Sequence, residues 1–406
     1  MESFDVVVVG GGPAGATAAA ELARAGRQTL LLDKAGRIKP CGGAIPPRLI
    51  ADFEIPLSLL EAQVSSARMI SPSGRAVDMP IEGGFVGMVD REVFDEWLRE
   101  RARAVGAERR TGKFLSMAQA PDGGSIIVYQ GRNEAGRKIE RRVHARAVIG
   151  ADGASSRVAR EVIPEAAKIP FVYAYHEIVE SPEASNDEFD PKRCDVFYQG
   201  EVSPDFYGWV FPHGERTSVG MGTAHKGYSL RGATAKLREA AGLTDQPLVR
   251  KEGAPLPLKP MKRWDDGRNV VVIGDAAGVV APSSGEGIYY AMVSGRFAAS
   301  AVDEFVASGN PRDLRKAAKR FFREHGRVFW ILGIMQKFWY TSDKRRERFV
   351  TMCEDPDVQR LTWEAYMHKR LVRARPMAHI RIFFKDLAHL LGLASETGSP
   401  RSRGAS

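Results

Sequence analysis

Gly10, Gly12 and Gly15 form a Gly-x-Gly-x-x-Gly turn between an apolar run, Phe4 to Val9, and an alanine-rich stretch opened by Pro13 and Ala14. The first glycine permits a tight turn and the second lets backbone approach a pyrophosphate. The third allows a helix to pack closely on a strand. A helix beginning there offers unpaired N–H groups and the positive end of its dipole to phosphate oxygens. Asp33 closes the next apolar run, Thr29 to Leu32, at the spacing expected of a ribose-binding carboxylate, about 20 residues on. Asp33, with Lys34 beside it, therefore predicts an ADP-containing cofactor. A carboxylate at this point repels a 2′-phosphate, so the tightly held nucleotide is not NADP.

Two further glycine-rich segments follow buried strand patterns. One is Gly274-Asp275-Ala276-Ala277-Gly278, followed by Pro282-Ser283-Ser284-Gly285-Glu286-Gly287-Ile288; the other runs from Val148 to Arg157 and contains Asp152-Gly153. Together they resemble the cofactor motifs of the glutathione-reductase-like and hydroxylase-like flavoproteins. The resemblance implies tightly bound FAD, non-covalently held, with Asp275 on the ribityl chain. A helix N-terminus near Gly285, Gly287 and Ile288 would face the flavin pyrimidine, where a positive dipole end favours the reduced ring. Arg91 matches the basic residue that the hydroxylase-like branch places near its cofactor, although a solvated charge at a helix start is an equally plain reading. No second Gly-x-Gly-x-x-Gly occurs, so the electron donor has no Rossmann unit of its own and must visit transiently.

Lys39-Pro40-Cys41-Gly42-Gly43-Ala44-Ile45-Pro46 and Pro204-Asp205-Phe206-Tyr207-Gly208-Trp209-Val210-Phe211-Pro212 narrow the resemblance to the geranylgeranyl reductases, especially the (bacterio)chlorophyll reductases of photosynthetic bacteria. The likeness runs from Met1 to about Leu393. It implies that NADPH reduces FAD and that hydride then saturates isolated double bonds of a geranylgeranyl chain. Three successive reductions give phytyl, on bacteriochlorophyll or on the free diphosphate. Strand alternation puts Tyr207, Trp209 and Phe211 on one face, as a prenyl tunnel wall or as a sheet face packed into the core. An unactivated alkene needs a proton at one carbon as hydride reaches the other, away from water. Cys41 is the first candidate, because a thiol is mostly protonated at neutral pH; a small residue packed on the ring is the competing reading. Tyr207 is the second candidate. His213 could also relay protons, but a lone histidine after a strand is more often a surface residue; Cys194 and Cys353 read as packing.

A strand at Phe4–Val9, a helix at Ala14–Ala25 and a strand at Thr29–Leu32 make a βαβ unit. Asp90 to Val105 reads as an amphipathic helix with Phe94, Trp97 and Leu98 on one face. Ser125 to Tyr129 suggests a hairpin, and Ala147 to Gly150 and Val270 to Ile273 short buried strands. A long helix is expected from about Gly285 to Ala307. Residues 171–222, rich in Val, Tyr, Phe and Trp between Pro, Gly and Asp, read as a largely antiparallel sheet. The fold class is α/β: an FAD-binding Rossmann-like domain of hydroxylase type, an antiparallel substrate domain and a helical C-terminus. The expected division is residues 1–65, 85–165 and 265–310 for the cofactor domain, 66–84 and 166–264 for the substrate sheet, 311–393 for the helical region and 394–406 for a disordered tail.

Between Arg312 and Arg375 there are 17 Lys/Arg against 8 Asp/Glu, an excess that equals the formal charge of the whole chain, +9. No nucleic-acid motif accompanies this block. Phe329, Trp330, Phe338, Trp339 and Tyr340 are interleaved with it, and Met377, Ile380, Phe384, Leu387 and Leu391 recur at helical spacing. That mixture fits an anionic membrane surface, as a substrate residing in membrane requires. No leader is expected and no run approaches the roughly 20 apolar residues of a membrane span. Three isolated cysteines argue against a disulfide framework or zinc site and fit a reducing compartment. The expected location is cytoplasmic and peripherally membrane-associated. A flavin monooxygenase shares the fold, but a halogenase would carry a WxWxIP motif that is missing here. A non-catalytic prenyl carrier, as in the GDP-dissociation inhibitors, is disfavoured by Gly274-Asp275 and Gly285-Glu286-Gly287.

Overall fold

A computed structural model describes residues 1–34, 36, 38–185 and 188–369. The apolar run at the start becomes the central strand Glu2–Val9, pairing in parallel with Thr29–Asp33 on one side and Lys138–Gly150 on the other. Val6 to Val9, apolar without interruption and all buried, are what a strand covered on both faces demands, while Asp5 interrupts the run before them. Glu108–Thr111 extends one edge in parallel, and Val270–Val272 pairs in parallel with the end of Lys138–Gly150. Ser125–Arg132 and Lys113–Gln119 add an antiparallel wing. The strand expected at Ala147–Gly150 is the last part of a 13-residue strand. Its charged first half, Lys138 to Arg142, pairs with the hairpin at the sheet's exposed end, so no apolar run marks it.

The helix Pro13–Arg24 packs on this sheet beneath Ile288–Ser308. That second helix starts three residues later than the sequence suggested. Gly285 holds φ +65°, and the Ala281 N–H bonds to the Glu286 carbonyl (2.9 Å), closing a turn before the helix can begin. Arg91–Ala104 is the expected amphipathic helix, with Asp90 capping its start by accepting from the Glu92 N–H (2.8 Å).

A second seven-stranded sheet has the order Leu248–Pro257, Phe171–Glu180, Arg216–Thr223, Gly208–His213, Arg193–Phe197, Ser66–Ile70, Ala76–Pro80. All neighbours are antiparallel except Arg193–Phe197 with Ser66–Ile70. The helix Leu230–Ala240, not anticipated from sequence, covers this sheet through Ala233 and Leu237. Helices Arg315–Trp339, Asp343–Met352 and Pro356–His368 follow. The apolar stripe from Met377 to Leu391 lies outside the described residues. No helix among the described residues is long and apolar enough to cross a membrane.

Candidate active site

One cavity of about 1070 Å³ connects the glycine turn to the second sheet and the C-terminal helices. Gly10, Gly12, Pro13 and Ala14 line it at one end with Asp33 and Lys34. The Gly10 and Gly15 positions explain themselves sterically. A Cβ on Gly10, at φ +107°, would lie 2.3 Å from the Ala151 carbonyl oxygen, and one on Gly15 would lie 1.9 Å from the Gly10 oxygen. Gly12 is different: a Cβ there meets nothing within 4 Å and would project into open space beside the first turn of the helix. Room at that point, with helix N–H groups adjoining it, fits a pyrophosphate. The Asp33 carboxylate accepts from the Gly11 N–H at 2.7 Å, which fixes it at the cavity edge, the place a ribose requires. The residues present therefore fit the ADP half of FAD.

Several expected site residues have roles that spacing did not reveal. Gly15 and Gly274 do not line the cavity; a Cβ on Gly274 would meet that of Ala14 at 2.8 Å, so it is a packing glycine. The Asp275 carboxylate does reach the cavity, where the ammonium of Lys39 pairs with it. Asp152 lies in the wall beside Gly153, but its carboxylate is turned inward. It accepts from the Ser156 hydroxyl and from the N–H groups of Arg157 (2.6 Å) and Val158 (3.3 Å), so it anchors the following helix. Burial raises its pKa against those hydrogen bonds.

Arg91 is no solvated helix-start charge. It is 5% exposed, and its Nε and Nη2 bond both oxygens of Asp95 at 2.8 and 2.7 Å. Burial works against its charge, but Asp95 and the neighbouring Cys41 sulfur outweigh that and hold its pKa above the ordinary value. Cys41 itself lines the cavity, and its Sγ accepts from the Gly43 N–H at 3.4 Å. The turn's glycines answer to the second sheet. A Cβ on Gly42 would strike Phe211 Cδ2 at 2.8 Å, and one on Gly43 would strike His213 Nε2 at 2.4 Å and the Val89 carbonyl oxygen at 2.5 Å. The two segments singled out in the sequence are thus in direct contact. His213 is accordingly no surface group. Its Nδ1 bonds the Phe211 carbonyl (3.0 Å), and burial lowers its pKa to about 4.

Tyr207, Trp209 and Phe211 line the cavity in sequence, with ring centroids 6.1 and 6.4 Å apart. The Tyr207 hydroxyl, a second candidate proton donor, is already committed: it donates to the Ser284 carbonyl at 2.5 Å, and burial raises its pKa. It pins the turn that carries Gly285, Gly287 and Ile288. Tyr340 pins the same turn through the Ser283 carbonyl (2.9 Å), and Lys369, buried at the end of the last helix, pairs with Glu286. These holds, and the Lys39–Asp275 pair, were missed because each joins residues more than 50 positions apart. Met69, Met79, Val196, Met335, Leu361 and Trp363 continue the lining away from the glycine turn. Cys194 and Cys353 are buried and burial raises both thiol pKa values, that of Cys353 to about 12.

Residues 5–384 match the family described as Lycopene cyclase protein. The chain is 57% identical over 390 residues to the geranylgeranyl diphosphate reductase of Rhodobacter capsulatus, covering 96% of this chain and 98% of that one. Among solved structures it resembles a geranylgeranyl bacteriochlorophyll reductase-like protein from Thermoplasma acidophilum, with TM-score 0.78, 24% identity and coverage of 93% and 100% of the two chains. The flavin-dependent brominase Bmp2 has the same fold at TM-score 0.70 and 17% identity, with coverage of 95% and 99%. With a glycine turn shaped for a dinucleotide, an apolar aromatic cavity joined to it and this degree of identity along nearly its whole length, the chain belongs to the geranylgeranyl reductase family.

Proposed function

We propose that this protein is an FAD-dependent reductase that saturates isolated double bonds of a geranylgeranyl chain, carried by a diphosphate or by bacteriochlorophyll, in three successive steps to phytyl. The observation that carries the reading is the single cavity in which the Gly12 turn and the Tyr207–Trp209–Phe211 row are bridged by the Cys41–Gly42–Gly43 turn. FAD bound in this cavity would supply the hydride, with NADPH as the proposed source of its electrons. Gly12, Asp33, Asp275 and the helix N-terminus at Ile288 would hold that cofactor, with Lys39 paired to Asp275 beside it. The apolar lining excludes water and binds a chain that offers no polar group.

Cys41 is the proposed proton donor at the cavity. Cys41 lines the cavity, and the guanidinium of Arg91 lies beside its sulfur. Incubating the protein anaerobically with FAD, NADPH and geranylgeranyl diphosphate or geranylgeranyl-bacteriochlorophyll should raise the product mass in steps of two hydrogens, read by mass spectrometry. Oxygen-dependent NADPH consumption with no such product would instead support a monooxygenase and refute the reductase reading.

The same substrate class supports docking on an anionic membrane. Trp330 and Ile334, four residues apart on helix Arg315–Trp339, are 69% and 47% exposed, while Val328, Ile331, Leu332 and Met335 of that helix line the cavity. Arg323, Arg327 and Lys337 flank them. Each basic side chain near an anionic surface contributes about 1 kcal/mol. The protein should sediment with anionic vesicles at low ionic strength and be released by salt, and Trp330→Ser should weaken binding. No sedimentation at low salt would end the membrane reading.

A further inference from the structure

The indole of Trp209 is wired to a half-buried carboxylate, that of Glu252. Its Nε1–H lies 3.1 Å from Ser218 Oγ, Ser218 Oγ lies 3.0 Å from His176 Nδ1, and His176 Nε2 lies 2.8 Å from Glu252 Oε2. For a neutral imidazole facing an ionised carboxylate, one assignment of protons satisfies all three contacts. An indole N–H can only donate, so the serine oxygen accepts from it and its own hydroxyl donates to Nδ1. The imidazole proton then sits on Nε2 and is donated to Glu252. Every donor points the same way, from the ring toward the charge. Trp209, Ser218 and His176 are all buried, so the bonds polarise one another in a low-dielectric setting. Arg250 Nε, 3.1 Å from Glu252 Oε1, and beyond it Asp90, 3.0 Å from Arg250 Nη2, hold the far end.

An apolar tunnel wall needs none of this, because phenylalanine would fill the place without burying a serine and a histidine behind it. The ring is also locked in position: a Cβ on Gly220 would lie 2.5 Å from Trp209 Cζ2 and 2.5 Å from His176 Cβ, so the indole seats directly on the strand behind it. Its cavity side stands between Tyr207 and Phe211, next to the Gly42 turn.

The chemistry proposed above gives such a ring a task. Reducing a trialkyl alkene breaks the C=C π bond and forms two C–H bonds. A proton from the acid of the site goes to the less substituted carbon, and a hydride from the reduced flavin, which is thereby oxidised, goes to the more substituted one. When proton transfer runs ahead, positive charge develops on the more substituted carbon, with no carbonyl to share it. An aromatic face attracts a cation, and indole does so most strongly of the side-chain rings. Drawing the N–H proton toward Ser218 leaves the ring richer in electrons. We propose that Trp209 is a catalytic residue that stabilises this developing cation, and that Ser218, His176 and Glu252 are positioning residues that orient and enrich its ring. This inference rests on the reductase reading.

The test is the single-turnover rate at which geranylgeranyl diphosphate reoxidises prereduced flavin in the holoenzyme, under anaerobic conditions. Tryptophan at position 209 would be replaced by its mono-, di- and trifluoro analogues through site-specific incorporation. The logarithm of the rate should fall linearly with fluorine number, since fluorine withdraws ring electrons with little change of shape. Ser218→Ala and Glu252→Gln should each slow the step roughly tenfold, with FAD content, reduction by NADPH and KM for the prenyl substrate unchanged. Glu252→Gln retains an oxygen to accept from His176, which guards against simple misfolding. A flat fluorine series in an active enzyme would overturn the inference and leave the reductase reading standing. A parent enzyme that leaves the alkene unreduced would overturn both.

Discussion

Gly15→Ala is expected to abolish FAD uptake and to destabilise the protein by about 3 kcal/mol or more. The added Cβ would sit 1.9 Å from the Gly10 carbonyl oxygen and 3.0 Å from Ala151 Cβ, and neither can yield. Gly10 donates to the Leu32 carbonyl (2.8 Å) and Ala151 to that of Val9 (2.7 Å), so both belong to the central sheet. The helix Pro13–Arg24 cannot retreat either, because Gly295 of the helix above it lies so close that a Cβ there would be 2.4 Å from the Ala14 carbonyl oxygen. Gly12→Ala separates binding from folding. Its methyl meets no protein atom within 4 Å and enters the cavity instead. Thermal unfolding of the FAD-free protein should be unchanged by Gly12→Ala, while FAD titration should show affinity weakened by about tenfold or more. Equal thermal stability of Gly15→Ala and the parent would refute the packing account.

Lys369→Met is expected to cost about 3–5 kcal/mol, because it leaves Glu286 as a buried carboxylate without its counter-ion. The two side chains are 3% and 8% exposed; Lys369 bonds Glu286 Oε2, and Oε1 has no hydrogen-bond partner among the described residues. Burial lowers the Lys369 pKa against the pull of Glu286, and the Tyr366 ring, 3.9 Å from the ammonium, with Tyr289 and Tyr290 at 5.8 Å, completes its surroundings. Chemical denaturation of the single variant and of Lys369→Met/Glu286→Gln decides the matter. The double variant should regain most of the loss, since no charge then remains buried. Because Glu286 lies in the turn pinned by Tyr207 and Tyr340, the single variant should also bind FAD more weakly. A single variant as stable as the parent would show that the pair adds nothing.

The cofactor end was legible because it is local. Gly10, Gly12, Gly15 and Asp33 lie within one βαβ unit, where turn geometry, helix start and strand end follow from residues a few positions apart. The Cys41 turn and the Tyr207 strand were also visible as segments, through their resemblance to a family. Their contact was not, because Gly42 against Phe211 and Gly43 against His213 are pairings across about 170 positions that no periodicity encodes. The same reason hid the burial of Arg91, which the Asp95 carboxylate makes tolerable four residues along the helix.

What the sequence determined alone was therefore the βαβ unit with its glycine turn and the aromatic row, set by short-range spacing and alternation, while the fold class followed from the motifs' resemblance to a family. The tertiary structure decided what each polar group does. Asp152 became an anchor for a helix, the Tyr207 hydroxyl a pin on a turn, Asp275 a partner of Lys39, and Trp209 the end of a chain reaching Glu252. A buried polar group takes its role from whichever donor or acceptor the fold brings within about 3 Å, and that partner comes from a different strand or helix.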